Sequence, residues 1–129
     1  MNYKEKLDRI FSQYIRLRDV NSDGYGMCIS CGKIIHWKEG DAGHYINRAE
    51  MSTRYCEKNV HLQCRFDNRF REGNMLGYTK GLIKKYGIGI LDELEILKSS
   101  TSHLSKFEYD VLIKHYQSEV KRLLKEKNL

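Results

Sequence analysis

The sequence predicts an α+β fold: a small zinc-stabilised core flanked by an N-terminal helix and by C-terminal helices. Three observations carry this. Apolar stripes with helical period occupy both ends of the chain, short glycine-punctuated pieces fill the middle, and that middle holds all four cysteines. At 129 residues the chain has the size of one ordinary domain, read as a helix over 2–18, a metal-bearing core over 25–74 and a helical part over 75–129.

Leu7, Ile10, Phe11, Tyr14 and Leu17 recur at three- and four-residue steps among charged residues, the pattern of an amphipathic helix. Asp19, Asn21, Ser22, Asp23 and Gly24 then stop it. They imitate the opening of a calcium loop, but the twelfth position is Ser30 where a bidentate Glu is required, so a turn is the better reading. From Tyr25 to Arg71, Gly24, Gly26, Gly32, Gly40, Gly43 and Gly73 mark off small strands and knuckles. Residues 75–86 and 89–98 read as two helices separated by Gly87, with Leu76, Leu82, Ile83, Ile90, Leu91, Leu94 and Leu97 as core positions. Ser105 and Glu108 form a capping-box pattern, and Tyr109, Leu112, Ile113, Tyr116, Val120 and Leu123 stripe a long last helix. There is no internal repeat and no low-complexity segment.

Hydrophobic residues at 40% and charged residues at 31%, with no Pro, describe a globular chain rather than a disordered one. No apolar run approaches the roughly 18 residues of a membrane span, and the N-terminus runs straight into an amphipathic segment, so a cytoplasmic location is expected. A net charge of +6 favours polyanionic partners such as nucleic acid. In a reducing compartment the cysteines read as metal ligands or buried thiols before disulfides.

Cys28 and Cys31 form a Cys-x-x-Cys knuckle beside Gly32, a spacing that lets one tight turn aim two thiolates at one ion. The second knuckle, Cys64-Arg-Phe-Asp67, is one sulfur short. Asp67 supplies the fourth ligand by oxygen, or Cys56 swings in from the preceding segment; zinc held by Cys28, Cys31, Cys64 and Asp67 is the favoured set. The alternative is a site that has lost its metal and keeps free buried thiols. A redox Cys-x-x-Cys lacks the surrounding βαβ pattern.

Between the knuckles lie His44 and Asn59, and Asn68 follows the second. The order Cys-x-x-Cys, His, Asn, second knuckle, Asn resembles the HNH or ββα-metal nucleases, with endonuclease VII of phage similar in ending on Asn. Cys28-Ile-Ser-Cys-Gly, Ala42-Gly-His-Tyr45, Asn59-Val-His-Leu-Gln-Cys64, Asn68, Gly73-Asn74, Tyr78 and Gly81-Leu-Ile83 resemble the phage NinG (Rap) recombination proteins over residues 25–98. The resemblance implies a ββα-metal core and a structure-specific endonuclease acting on D-loops and Holliday junctions, inside a bacterial or phage-infected host cell. It implies His44 as general base, a role suited to imidazole near neutral pH. Asn68 would present an amide oxygen to catalytic Mg²⁺ or Mn²⁺, and Asn59 would orient the His44 loop. His61 reads either as an auxiliary phosphate or metal contact or as a packed imidazole, the packed reading being preferred.

One departure concerns the position before His44, where many relatives carry an acidic residue or His and this chain has Gly43. Asp41 is the nearest carboxylate, but three residues along a strand puts it on the face opposite His44 unless the backbone bulges. Glu39, Glu50 and Glu72 are the other substitutes. His36, His103 and His115 are assigned to surface or structural roles, and Trp37 to the core or, if exposed beside the site, to base stacking.

Arg65, Arg69, Arg71, Lys80, Lys84 and Lys85, with Arg48 and Arg54 in the connecting segment, are expected to contact phosphates without reading sequence. The last helix, with Lys114, Lys121, Arg122, Lys125 and Lys127 among acids, looks exposed or dimer-facing, and a two-fold homodimer would suit cutting of paired strands. The rival reading is a non-catalytic zinc module that binds DNA or a recombination partner. A third, a zinc-stabilised protein-interaction domain, predicts no salt-dependent DNA binding.

Overall fold

Asn2 starts the fold. In the computed structural model, which describes residues 1–129, its side chain accepts the Glu5 backbone N–H at 2.8 Å while Glu5 Oε2 accepts the Asn2 N–H. This capping box opens helix α1 (Tyr3–Arg18), whose buried stripe is Leu7, Phe11, Tyr14, Ile15 and Leu17. Ser105 and Glu108 open the long last helix, α6 (Lys106–Lys127), in the same way. Its stripe of Ile113, Tyr116, Val120 and Leu123 packs along α1, each such side chain contributing roughly 1.5–3 kcal/mol. The Tyr14 and Tyr116 hydroxyls both donate to the Glu57 carboxylate, and Lys127 donates to the Leu17 and Val20 carbonyls at the end of α1. The last helix therefore buries its apolar face inside this chain and keeps its charged face outward.

A hairpin of β1 (Tyr25–Met27) and β2 (Ile34–His36) holds the first knuckle in its loop. The second sheet pairs β3 (Gly40–His44) with β4 (Val60–Cys64), in antiparallel register from Gly40↔Cys64 to His44↔Val60. Helix α2 (Met51–Arg54) and a 3₁₀ turn (Glu57–Asn59) lie between them, and α3 (Arg65–Phe70) follows β4 at once. All five β4 residues are buried, Val60 and Leu62 in the α1–α6 core and His61 towards Tyr78 and Tyr86 of α4 (Met75–Tyr86). The outer edge of β4 is closed by the end of α1: Arg18 donates to the Val60 carbonyl, and Asp19 Oδ2 accepts the Leu62 N–H at 2.9 Å. The calcium-like opening is thus a turn whose first carboxylate is committed to Arg18 and Leu62.

Helix α4 lies tight on the first knuckle. A Cβ at Gly77 would come within 2.1 Å of the Ser30 carbonyl and one at Gly81 within 2.0 Å of the Ile29 carbonyl, so only glycine permits this approach. With α5 (Ile90–Lys98), α4 encloses a second, smaller core of Tyr78, Leu82, Ile90 and Leu94. Of the expected core positions here, Ile83, Leu91 and Leu97 pack against this cluster only in part. Leu76 is 72% exposed, because the face of α4 turned to α5 begins at Tyr78. No helix is long and apolar enough to cross a membrane.

Candidate metal centre and active-site cleft

Cys28, Cys31, Cys64 and Asp67 converge, with one ligand atom from each lying within 4.8 Å of all the others. The Cys31 and Cys64 sulfurs are 3.8 Å apart, close to the ~3.7 Å edge of a tetrahedron built on Zn–S bonds of about 2.3 Å. The cluster can hold a metal ion. Local structure explains the convergence: the hairpin loop brings the buried Cys28 and the exposed Cys31 to one point, while Cys64 caps α3 so that its first turn brings Asp67 to the same point. Asp67 is 1% exposed, and its Oδ2 accepts from Ser30 Oγ at 2.7 Å and from Asn74 Nδ2 at 2.8 Å. Burial opposes its charge, but these hydrogen bonds and the Arg71 guanidinium outweigh that and hold the carboxyl below its usual range. Cys56 is not part of the cluster. It packs against the α4–α5 core, because it precedes the start of β4 while Cys64 stands at the strand's far end.

On the other side of α3 lies a cleft of about 760 Å³, lined among others by Asp41, His44, Arg48, Asn68, Arg69 and Glu72. His44 Nε2 is 2.9 Å from the Arg54 carbonyl. A carbonyl only accepts, so in the neutral ring Nε2 carries the proton and Nδ1 keeps its lone pair. Burial, helped by the charges of Arg54 and Arg48, holds the His44 pKa below the usual 6.5. The Arg54 carbonyl is fixed in turn. The Arg54 guanidinium is buried, bidentate to Asp8 of α1 at 2.9 and 2.6 Å, and bonded to the Arg48 carbonyl at 2.7 Å. It is therefore a buried clamp and not a phosphate contact, a correction that follows from its 6% exposure.

Asn59 is fully buried. Its Oδ1 accepts the Ile46 N–H at 2.8 Å, and its Nδ2 donates to the Ile46 and Thr53 carbonyls at 3.1 Å each, tying down both ends of the segment after His44.

Asn68 Nδ2 donates to Asp41 Oδ2 at 2.9 Å, and Arg69 forks onto both Asp41 oxygens. These hydrogen bonds and charges outweigh burial and lower the Asp41 pKa. The β3–β4 register is unbroken, so no bulge turns Asp41 round; Asp41 stands across from Gln63 and His44 across from Val60, on opposite faces. Both still line the one cleft, which corrects the expectation that Asp41 could join His44 only through a bulge. β3 pairs only with β4, and the cleft runs along its free edge, reachable from either face.

Gly43 has a physical reason. A Cβ there would fall 2.0 Å from Gln63 Oε1, and the Gln63 amide is pinned by donating to Ser30 Oγ at 2.9 Å and to the Gly73 carbonyl at 2.7 Å. Of the substitute carboxylates, Glu72 lines the cleft, Glu39 lies beside the metal centre and Glu50 stands exposed before α2. His61 is 1% exposed between two tyrosines. Tyr78 gives its proton to the Gly43 carbonyl at 2.7 Å, so His61 Nδ1–H donates to Tyr78 and Nε2 accepts from Tyr86 at 2.8 Å. Burial drives the His61 pKa down to about 3, which makes it a packed neutral imidazole. Trp37 is 8% exposed with the Arg16 guanidinium over its ring, too buried to stack on a base.

Arg48 and Arg69 line the cleft. Arg65 and Arg71 stand on the metal-centre side, and Lys84 and Lys85 beside a separate cavity next to His61. Lys80 is exposed on α4. The basic residues are thus spread around α3 and α4 rather than gathered in one stripe.

The profile of the family described as "Bacteriophage Lambda NinG protein" matches residues 1–126. The chain belongs to the NinG family. The protein ninG of Salmonella phage P22 is 41% identical over 69 residues, 53% of this chain and 34% of that protein. That of Escherichia phage lambda is 36% identical over 98 residues, 74% of this chain and 47% of that protein. This NinG-family chain thus spans less than half the length of the curated relatives it matches. No solved structure matches it.

Several residues that shape the site are invisible in the pattern. Asp8 and Arg54 are 46 positions apart, and neither carries a local signal of pairing. Ser30 did carry one, since it sits inside the knuckle whose fourth ligand it holds.

Proposed function

We propose that this chain is a metal-dependent endonuclease of the HNH, ββα-metal kind, cutting branched recombination intermediates such as D-loops and Holliday junctions. The observation that carries the reading is the fixed tautomer of His44 at the edge of a cleft shared with Asn68 and Asp41. The branched substrate rests on the resemblance to the NinG (Rap) recombination proteins.

His44 Nδ1 takes the proton from an attacking water, and its lowered pKa keeps it in the basic form at neutral pH. Asn59 and the Asp8–Arg54 clamp hold the His44 loop so that the imidazole does not turn away. Asn68 and Asp41 present hard oxygen ligands, and a bound Mg²⁺ or Mn²⁺ would stabilise charge developing on the scissile phosphate. For these ligands to act, Arg69 leaves the Asp41 carboxylate and turns to phosphate, while the Asn68 amide turns its oxygen forward. At Cys28, Cys31, Cys64 and Asp67 the ion is zinc and its role is structural, since no open position is needed to hold α3 on the hairpin.

A second reading, a non-catalytic zinc module that binds DNA or a recombination partner, is favoured by one observation: both Asp41 oxygens are already occupied by Arg69. Incubation of labelled four-way junction, D-loop and linear duplex with Mg²⁺, Mn²⁺ or EDTA separates the two. Metal-dependent cutting of the branched forms is expected; tight junction binding without cutting under any metal would establish the second reading.

A further inference from the structure

Helix α3 has three working sides. Asp67 faces the metal centre and Asn68 the cleft, while Phe66 and Phe70, one helical turn apart, stand outward at 62% and 76% exposure. Their ring centroids are 6.2 Å apart, so the two rings form one surface, flanked on the helix by the cleft-lining Arg69 and opposite Asn68. Nothing in the fold covers them.

The surroundings select an occupant. Arg65, Arg69 and Arg71 interleave with the rings along the chain, and all three are about half exposed. The rings offer roughly 300 Å² of aromatic surface, and Tyr25 and Ile34 line the same cavity as Phe66. Aromatic faces set among guanidinium groups match nucleic acid, whose bases stack while its phosphates pair with Arg. Bases inside an intact duplex are already stacked, so this surface can engage only unpaired or splayed ones.

We propose that Phe66 and Phe70 are a base-stacking wedge, contacting unpaired bases beside the strand held in the cleft and giving the chain its preference for branched over fully paired DNA. The proposal rests on the nuclease reading and supplies its specificity determinant, the role once open to Trp37.

The test compares wild type with the Phe66→Ala, Phe70→Ala double variant and with Phe66→Leu, Phe70→Leu, which keeps apolar bulk but loses the π faces. Affinity is measured for a forked DNA with 2-aminopurine at its unpaired branch bases and for a fully paired duplex of equal length, with sedimentation of each protein alone. Both variants should bind the fork about tenfold more weakly or worse while duplex affinity stays within about twofold, and only wild type should change the 2-aminopurine emission. An unchanged fork-to-duplex ratio in the alanine variant overturns the wedge while leaving the nuclease reading intact. A leucine variant equal to wild type overturns it as well, as does a wild-type dimer that the alanine variant dissociates, which would make the rings a contact between copies. Wild type that binds neither DNA removes the wedge and the nuclease reading together.

Discussion

The His44 imidazole and the Arg54 backbone carbonyl lie 2.9 Å apart, and that contact decides which ring nitrogen of His44 is basic. It also joins the candidate base to α1, because the Arg54 side chain is forked onto Asp8.

The clamp should therefore be separable from the base. Arg54→Met leaves a quarter-exposed Asp8 with only Tyr55 as donor, and should cost about 2–3 kcal/mol, below the 3–5 kcal/mol typical of fully buried pairs. Urea unfolding measures this. DNA cleavage should fall with kcat, since the His44 loop loses its anchor, while junction affinity changes little.

The pH dependence of cleavage follows from the lowered His44 pKa. On the nuclease reading the neutral base is the working form, so the rate should fall only as pH drops through a value below 6.5 and stay level above it until other groups titrate. A single-turnover pH–rate profile checks this. An acid limb centred above 6.5 would contradict the burial of His44.

Stability should show the same sign through His61. Its folded pKa of about 3 lies below the unfolded value near 6.5, so the unfolded chain takes up a proton the folded one refuses. Stability is then fully present above pH 6.5 and is lost by about 1.4 kcal/mol per pH unit as pH falls towards 3. His61→Gln should flatten that slope in thermal melts taken between pH 7 and 4, whatever its effect at neutral pH.

Gly43→Ala should destabilise by about 1–3 kcal/mol, because its methyl group would meet a pinned Gln63 amide. Adding Gln63→Ala should recover part of that loss. A fully additive double variant in denaturant melts would show that Gln63 is not what excludes a side chain at position 43.

The metal centre was legible because its determinants are local. Cys28 and Cys31 share one hairpin loop, and Cys64 and Asp67 share the start of one helix, so spacing alone aims each pair. The two long helices were legible for the same reason, their stripes and capping boxes lying within a few residues. What failed depended on distant partners. Arg54 looked like any basic residue until Asp8 buried it, and Leu76 matched a helical stripe whose neighbour, α5, meets α4 further along. Asp41 was placed on the correct face of β3, yet a free strand edge let one cleft reach both faces, which alternation cannot express.

Freshly purified protein should carry one zinc per chain, and Cys28→Ala should lose both the metal and the ordered centre, since metal-binding energy is folding energy in so small a core. Elemental analysis with circular dichroism reads both. Zinc near zero in a fully folded wild type would leave Cys28 and Cys64 as buried thiols and Cys31 as an exposed one.

The central claim is that His44 performs the chemistry rather than holding the fold or the DNA. Single-turnover cleavage of a four-way junction by wild type and His44→Ala, at equal protein and saturating Mg²⁺ or Mn²⁺, tests it most directly when junction affinity and Tm are measured alongside. The account predicts a loss of about 10²–10⁴ in rate with affinity and folding preserved. Equal rates in the two proteins, or a His44→Ala variant that loses cleavage only by unfolding, would contradict it.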